Sequence, residues 1–131
     1  MIFVDSNIPM YLVGAQHPHK DASRLLLERA IARGERLLTD SEVLQEILHR
    51  YSSIGRRDAI QPAFDALLAV VDHVYPVEQA DLMRTKTLML NLPQLSARDA
   101  LHVAIMQRYQ VEQIMSFDAG FDSVSGVHRL C

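Results

Sequence analysis

Short apolar runs alternate along the chain with longer segments in which apolar residues recur every three or four positions. This alternation is typical of an α/β domain with a mostly parallel sheet, in which a helix connects each strand to the next. The predicted strands are residues 2–4, 37–39, 74–75 with Val77, 114–117 and 127–130. The pattern therefore predicts a mostly parallel, five-stranded sheet.

Segments with helical periodicity lie between these strands. In 56–71 the apolar positions keep an i, i+3, i+4 spacing throughout, whereas 96–109 is apolar nearly all round and should be the most buried helix. A short helix is expected after Asn7, because Pro9 suits a first helical turn. The remaining predicted helices are residues 20–33, 42–52 and 78–90. Because parallel strands are joined by right-handed crossovers, a three-layer α/β/α sandwich follows.

Length and composition favour one folded domain. The 131 residues suffice for one hydrophobic core, 49% of them are apolar, and no linker or repeat interrupts them, so we expect one domain over residues 1–131. Cys131 is the only cysteine, which excludes an intrachain disulfide and suits a reducing cytoplasm. We find no signal-peptide pattern and no apolar run near the roughly 20 residues that cross a bilayer, so we expect a cytoplasmic protein without membrane contact.

Acidic residues follow the predicted strands. The loops at the carboxyl ends of parallel strands form the functional crevice of an open α/β sheet, and the connecting helices begin at the same edge. The acidic residues expected at this edge are Asp5, Asp40, Glu42, Glu46, Asp99 and Asp118. Several carboxylates that are distant in sequence should therefore converge.

Each of these acids also has a purely structural interpretation. Asp5 can start an Asx turn, and Asp118 opens a second turn. Asp99 can form a capping box with Ser96 at the start of a helix. Glu46 lies at the edge of the apolar stripe of its helix, where solvent exposure is the default. Only the set of acids as a whole indicates a site.

Four converging carboxylates require a cation. At about 5 Å and an effective dielectric constant of about 20, each pair repels by roughly 3 kcal/mol. Oxygen ligands without cysteine or a histidine pair favour Mg²⁺ or Mn²⁺ over zinc. Such ions promote the attack of water on a phosphodiester. The acids therefore predict metal-dependent phosphodiester hydrolysis.

The charge balance is compatible with a nucleic-acid substrate. The net charge of −3 becomes +1 when the four carboxylates are set aside, so the remaining surface is not acidic. Eleven of the thirteen basic residues are arginine, which suits bidentate phosphate contacts. Solvated surface charges and an ion pair at the cleft rim are the alternatives. The candidate RNA-binding residues are Arg50, Arg56 and Arg57 around Gly55, and Arg98 beside Asp99.

The histidines give weaker indications. His17 and His19 flank Pro18 in what we expect to be a solvent-facing loop. His102 follows Asp99 by one turn within the most buried helix, which favours a packed, hydrogen-bonded histidine over a metal ligand. No histidine is therefore assigned to a metal.

Four motifs occur in an order that is similar to that of a known family. They are Asp5-Ser6-Asn7, Thr39-Asp40-Ser41 with Val43-Leu44-Gln45-Glu46, Leu95-Ser96-Ala97-Arg98-Asp99-Ala100-Leu101-His102, and Ser116-Phe117-Asp118 with Phe121. Over essentially the whole chain this order resembles PIN-domain ribonucleases, specifically the toxins of VapBC-type toxin–antitoxin pairs. The third motif, about twenty residues before the fourth, is the most specific.

The resemblance implies a PIN-like fold and a four-acid pocket that binds one or two Mg²⁺ or Mn²⁺ ions and cleaves RNA endonucleolytically. It also implies a homodimer that is inhibited by a small antitoxin protein inserted into the active-site groove. The implied catalytic acids are Asp5, Glu46, Asp99 and Asp118, with Asp5, Asp99 and Asp118 as metal ligands and with Asn7 and Ser116 as supporting polar residues. Asp122 is an alternative to Asp118, and Asp40 and Glu42 are alternatives to Glu46.

Two other functions compete with this interpretation. An aspartate-based phosphatase could use Asp5 as its nucleophile, but Asn7 stands where a second acid is wanted, and neither Lys20 nor Lys86 follows a late strand to hold a phosphoryl group. A PIN-like module could instead bind RNA or protein without cleavage.

Overall fold

Five parallel strands form one sheet in the computed structural model, which describes residues 1–131. The strands are β1 (Ile2–Val4), β2 (Leu37–Asp40), β3 (His73–Tyr75), β4 (Gln113–Met115) and β5 (His128–Leu130). They lie in the order β3-β2-β1-β4-β5. The five predicted strands are thus confirmed to within two residues at each end.

The central strand β1 lies in the middle of the hydrophobic core. All three of its side chains are buried, and Phe3 pairs with Leu38 of β2 on one side and with Ile114 of β4 on the other. A strand covered on both faces has no solvent side, which explains why Ile-Phe-Val shows no polar alternation.

Six α-helices connect the strands. They are α1 (Asn7–Val13), α2 (Pro18–Ala32), α3 (Ser41–Ser53), α4 (Ile60–Leu68), α5 (Gln79–Asn91) and α6 (Ala97–Arg108), with 3₁₀ turns at Arg57–Ala59 and Ala119–Ser123. The connection from β3 to β4 reverses the direction in which strands are added. Right-handed crossovers therefore place α5 and α6 on the opposite face from the helices of the earlier connections, which makes the predicted three layers. In agreement, α1 packs on α2 and α4, whereas α5 packs on α6.

Helix α6 is buried almost throughout, as its sequence predicts. Every residue from 100 to 106 is buried, including His102, which has no exposed surface. A helix in this position holds its N-terminus, and therefore Asp99, in a fixed place at the carboxyl edge of the sheet.

The predicted helix over 56–71 is wrong at both ends. The α-helix covers only Ile60–Leu68 and is preceded by a 3₁₀ turn at Arg57–Ala59. Pro62 explains the late start, because proline lacks the N–H that a helix interior requires and is tolerated only in the first turn. Arg56 and Arg57 consequently do not begin an α-helix, and Arg56 pairs with Asp58 at 3.0 Å.

The loop expected around His17 and His19 is also wrong. Pro18 is the first residue of α2, where the lack of an N–H costs nothing. His17 is the N-cap, and its Nδ1 accepts a hydrogen bond from the His19 backbone N–H at 3.0 Å. The two rings are thus held on a helix start instead of a mobile loop.

The strand order creates a crevice above β1 and β4. The chain leaves β1 toward β2 and leaves β4 toward β5, in opposite directions, and ligands of open α/β sheets bind at such a switch point. Asp5 directly follows β1, and Ser116 directly follows β4. None of the helices combines the length and the apolar character that a membrane-spanning segment needs.

Candidate active site

Asp5 is buried at the end of β1 and is held by three donors. Its Oδ1 accepts the Ser6 backbone N–H at 2.8 Å, and its Oδ2 accepts the Ser116 hydroxyl at 2.6 Å and the Asn7 amide at 3.3 Å. Burial nevertheless raises the pKa of Asp5 above its ordinary value, and the charge of His102 and the Ser116 hydrogen bond oppose the rise. The carboxylate is therefore fixed in orientation but only partly compensated in charge.

Ser116 joins the ends of β1 and β4. Its hydroxyl donates to Asp5 and accepts the Asn7 amide at 3.2 Å and the Asp118 backbone N–H at 3.0 Å. The Asn7 side-chain oxygen in turn accepts the Phe117 backbone N–H at 3.4 Å. These bonds couple the position of Asp118 to that of Asp5. Asn7 and Ser116 thus both contact the carboxylate of Asp5 and each other.

Asp99 and Asp118 face each other across Gly120. A Cβ atom on Gly120 would lie 3.1 Å from Asp118 Oδ1 and 3.5 Å from Asp99 Oδ2, so glycine leaves room for both carboxylates. Only half of the predicted capping box forms: Ser96 Oγ accepts the Asp99 N–H at 3.2 Å, while no return bond is made by the Asp99 carboxylate. Burial, followed by the closeness of Asp118, raises the pKa of Asp99 to about 7.

Glu46 is held by a fully buried histidine. His102 donates from Nε2 to Glu46 Oε1 at 2.8 Å and from Nδ1 to Asp40 Oδ2 at 2.7 Å. The other oxygen of Asp40 caps α3 by accepting the Val43 N–H at 2.9 Å. The N-terminus of α3, Asp40, His102 and Glu46 therefore form one connected chain of hydrogen bonds.

The charged side chains in this hydrogen-bond chain stabilise one another. Burial alone would lower the pKa of His102, but the carboxylates of Asp40, Glu46 and Asp5 raise it well above its ordinary value. Burial raises the pKa of Glu46, yet its hydrogen bond with His102 and the charge of His102 outweigh burial and leave the pKa lowered. The carboxylates thus favour the charged form of His102, and the lowered pKa of Glu46 keeps this acid ionised at neutral pH.

An open cavity of about 470 Å³ lies above these residues, and all but one of its nine lining residues are polar. Its lining residues are Asp5, Ser6, Asn7, Glu46, Ser96, Ala97, Arg98, Asp99 and Asp118. The four carboxylates singled out in the sequence thus share one cavity, although they come from the ends of β1 and β4 and from α3 and α6. The exposed edge position considered for Glu46 is wrong, because its side chain is only 9% exposed.

The alternative acids lie elsewhere. Asp40 is fully buried beneath the cavity with both oxygens engaged, and Glu42 is half-buried on α3 outside the lining. Asp122 is exposed and forms two 2.9 Å hydrogen bonds with Arg129. The cavity is therefore lined by Glu46 and Asp118, and not by the alternative acids.

Among the candidate RNA-binding arginines, only Arg98 lines the cavity. It is exposed and makes no ion pair, so the alternative of a salt bridge at the rim does not hold. Arg50, Arg56 and Arg57 are exposed around Gly55 and lie outside the lining. The side chain of Arg98 is thus free to contact an anion at the cavity.

The donor set suits a hard divalent cation. Ligand atoms of Asp5, Glu46 and His102 lie within 4.8 Å of one another, but both nitrogens of His102 already donate hydrogen bonds and carry no free lone pair. The available ligands are therefore carboxylate oxygens, which Mg²⁺ and Mn²⁺ prefer. The raised pKa of Asp99 indicates negative charge that such a cation would balance.

Stability of the metal-free protein should depend on the charge of Asp99. Its folded-state pKa of about 7 lies above the unfolded value, so its contribution to stability is present at low pH and is lost as pH rises through about 7. We expect Asp99→Asn to raise the free energy of unfolding in EDTA at pH 8 by about 1 kcal/mol, since solvent screens part of the shift. Denaturant titration from pH 5 to 8 measures this, with exposed Glu112→Gln as control; equal pH slopes for Asp99→Asn and the unchanged protein would contradict it.

Removal of His102 should destabilise the fold strongly. His102→Ala leaves Asp40 and Glu46 buried without a counter-charge, and loss of one partner of a buried ion pair costs about 3–5 kcal/mol. Denaturant unfolding measures the cost, and His128→Ala, on an exposed residue of β5, should change stability by less than about 0.5 kcal/mol. A cost below about 1 kcal/mol for His102→Ala would show that its bonds to the two acids do not stabilise the protein.

Comparisons with known proteins agree with the fold and the cavity. The family model for the PIN domain matches residues 2–127. Ribonuclease VapC13 of Mycobacterium tuberculosis is 59% identical over 130 residues, which cover 99% of each chain. The crystal structure of Mycobacterium tuberculosis VapC20, a toxin that cleaves the sarcin-ricin loop, superposes with a TM-score of 0.78 at 21% identity and covers 95% of both chains.

A second solved structure has the same fold. VapBC2 of Rickettsia felis, bound to a DNA fragment from its promoter, aligns with a TM-score of 0.75 at 18% identity, covering 99% of this chain and 98% of that one. The likeness extends over the whole sheet and its helices, so it includes every segment that contributes to the cavity. The chain therefore belongs to the PIN-domain family and, within it, to the VapC ribonucleases.

Proposed function

We propose that this chain is the toxin of a toxin–antitoxin pair and hydrolyses RNA endonucleolytically with Mg²⁺ or Mn²⁺ held in the acidic cavity. The convergence of Asp5, Glu46, Asp99 and Asp118 on one open cavity is the observation that supports this most directly. The raised pKa of Asp99 is further support, because it shows that negative charge is disfavoured in this cluster, and a divalent cation would balance that charge.

In this proposal Asp5, Asp99 and Asp118 hold the metal. Asp5 is pre-oriented by Ser116 and Asn7, so little reorganisation is needed on binding. A divalent cation bound there would lower the pKa of water and balance the charge of the scissile phosphate. Glu46, kept ionised by His102, is suited to accept the proton of the attacking water.

Arg98 provides the positive charge at the cavity that an RNA phosphate needs. Its guanidinium forms no ion pair and can donate two parallel hydrogen bonds to phosphate oxygens. Arg50, Arg56 and Arg57 remain a second, more distant candidate for the RNA backbone. A phosphatase mechanism is less well supported, because no lysine lines the cavity.

The proposed biological unit is a cytoplasmic homodimer of one-domain chains, inhibited by a small antitoxin protein. The antitoxin partnership is supported by the likeness to VapBC2 of Rickettsia felis and to the toxin–antitoxin complex of Klebsiella pneumoniae, whose TM-score is 0.69. An antitoxin that enters the cavity would need a basic side chain to face the four acids. Co-expression with the protein encoded by the neighbouring reading frame is the direct test of this partnership.

Loss of one of the carboxylates that would bind the metal should slow RNA cleavage strongly. We expect Asp5→Asn and Asp99→Asn each to slow RNA cleavage by about 100-fold or more, because each removes one negative charge from the proposed metal site. EDTA should remove the activity of the unchanged protein, and Mg²⁺ or Mn²⁺ should restore it. The measurement is product formation from end-labelled RNA, with Glu112→Gln as a matched surface control.

Two outcomes would decide against this proposal. Cleavage that survives both substitutions and chelation would exclude a metal-dependent mechanism at these acids. RNA that is bound without a divalent cation and is never shortened would indicate a PIN-like binding module without nuclease activity.

The identity of the fourth acid can be tested with a neighbouring pair. Asp118 lines the cavity, whereas the Asp122 carboxylate pairs with Arg129 at the surface. We expect Asp118→Asn to slow RNA cleavage by about 100-fold and Asp122→Asn to leave the rate within about twofold. Initial rates at saturating Mg²⁺ compare the two variants, and a larger loss for Asp122→Asn would reverse the assignment.

A further inference from the structure

Four aromatic rings lie together beside residues that line the acidic cavity, and this side of the cavity is called its rim below. His19 stacks face to face on Phe117, with ring centroids 3.9 Å apart and planes at 7°. Tyr11 meets His19 and Phe117 edge-on at 5.0 Å and 5.5 Å, and His17 lies 4.9 Å from Tyr11 and 4.8 Å from His19. We call Tyr11, His17, His19 and Phe117 the aromatic cluster.

The aromatic cluster is joined directly to residues of the cavity. Phe117 lies between Ser116, which bonds Asp5, and Asp118, which lines the cavity. Tyr11 follows Asn7 by four residues on α1, which is about one helical turn, or 6 Å along the axis. The Phe117 backbone N–H donates to the Asn7 side chain, so both parts of the aromatic cluster share this anchor.

The rings remain accessible to solvent. His17 is exposed, and the other three residues are half-buried, although three of the four rings carry a polar atom. Beside them the Lys20 ammonium donates to the Gly14 carbonyl at 2.7 Å and makes no contact with a carboxylate. The rim therefore combines exposed aromatic surface with a positive charge that has no acidic partner.

A second aromatic pair in the molecule shows what a purely structural arrangement looks like. Tyr75 and Tyr109 stack at 3.6 Å, and the Arg108 guanidinium lies 5.2 Å from the Tyr109 ring. Glu78 and Asp81 each pair with Arg108 at 3.1 Å, so the charge beside these rings is neutralised within the protein. In the aromatic cluster, by contrast, no carboxylate neutralises the charge of Lys20.

Unpaired nucleotides bind proteins through exposed aromatic rings and neighbouring positive charges. Single-stranded RNA stacks its bases on Phe, Tyr and His rings, and its phosphates pair with neighbouring cations. A phosphate held at the acidic cavity would bring an adjacent base to the rim, because Phe117 directly precedes Asp118 and Tyr11 lies one helical turn after Asn7. A double-stranded segment could not use this surface, since its bases are already paired and stacked.

We propose that the aromatic cluster is a stacking platform for an unpaired base of the RNA substrate next to the scissile phosphate. This inference rests on the proposed ribonuclease function and adds to it a surface that binds a base of the substrate. Lys20 contacts the phosphate beside the stacked base.

Base stacking can be read directly because the chain contains no tryptophan. Short single-stranded RNAs carrying the fluorescent base 2-aminopurine at successive positions are titrated with the unchanged protein in EDTA, where the proposed cleavage does not proceed. We expect quenching at one position. His19→Ala should weaken RNA binding about 5- to 150-fold and remove this quenching, whereas His19→Phe should retain both. His128→Ala, on the opposite edge of the sheet, should match the unchanged protein.

A second measurement links the aromatic cluster to cleavage. An abasic ribose at the quenched position should lower kcat/KM for the unchanged protein but have no further effect on His19→Ala, because both changes remove the same contact. Phe117→Leu, which keeps apolar bulk, should behave like His19→Ala. Thermal unfolding of each variant separates these effects from a loss of folding.

The outcomes distinguish this inference from the proposed function. Metal-dependent cleavage with no quenching at any position, or with independent effects of the abasic site and His19→Ala, would overturn the platform and leave the nuclease intact. Quenching that depends on His19, in a protein that never cuts RNA, would support the platform and remove the proposed function. Equal binding of blunt double-stranded RNA and single-stranded RNA would also overturn it.

Discussion

Repulsion among carboxylates is the constraint that the rest of this molecule must satisfy. Asp5, Glu46, Asp99 and Asp118 share one cavity, where each close pair costs roughly 3 kcal/mol at an effective dielectric constant of about 20. The fold offsets part of this repulsion with hydrogen-bond donors that are held in fixed positions. Ser116 and Asn7 hold Asp5, and the buried cation His102 lies between Asp40 and Glu46. What these donors leave unbalanced appears at Asp99, whose pKa rises to about 7.

The division of labour among the acids follows from their surroundings. Glu46 has an internal counter-charge in His102 and is ionised without any metal. Asp99 and Asp118 form no ion pair within the protein, and both lie next to Gly120. A site of this kind lowers the stability of the metal-free protein, because its charges would be balanced only when a cation is bound. The aromatic cluster extends the same site outward, from the atoms that would hold a metal to the surface that would hold a base.

Much of this arrangement follows from local sequence patterns. Ile2–Val4 is continuously apolar because a central parallel strand is covered on both faces, and its end therefore marks the sheet edge where Asp5 lies. The α-helix begins later than the periodicity over 56–71 predicts, because hydrophobic periodicity does not take account of Pro62, which determines where the α-helix can begin. The start of α2 was mispredicted for a related reason: Pro18 favours a loop by composition but also fits the first turn of a helix.

The α/β class, the five strands and the set of candidate acids are predictable from local patterns, since apolar periodicity and the residue at the end of a strand are local properties. The packing of strands and helices places Glu46 and Asp118 at the cavity, and it places Asp40 and Asp122 elsewhere. The same packing joins His102 to two acids and stacks His19 on Phe117. These contacts join residues 56 to 98 positions apart in the chain. Their distances depend on how strands and helices pack, and no local pattern in the sequence encodes that packing.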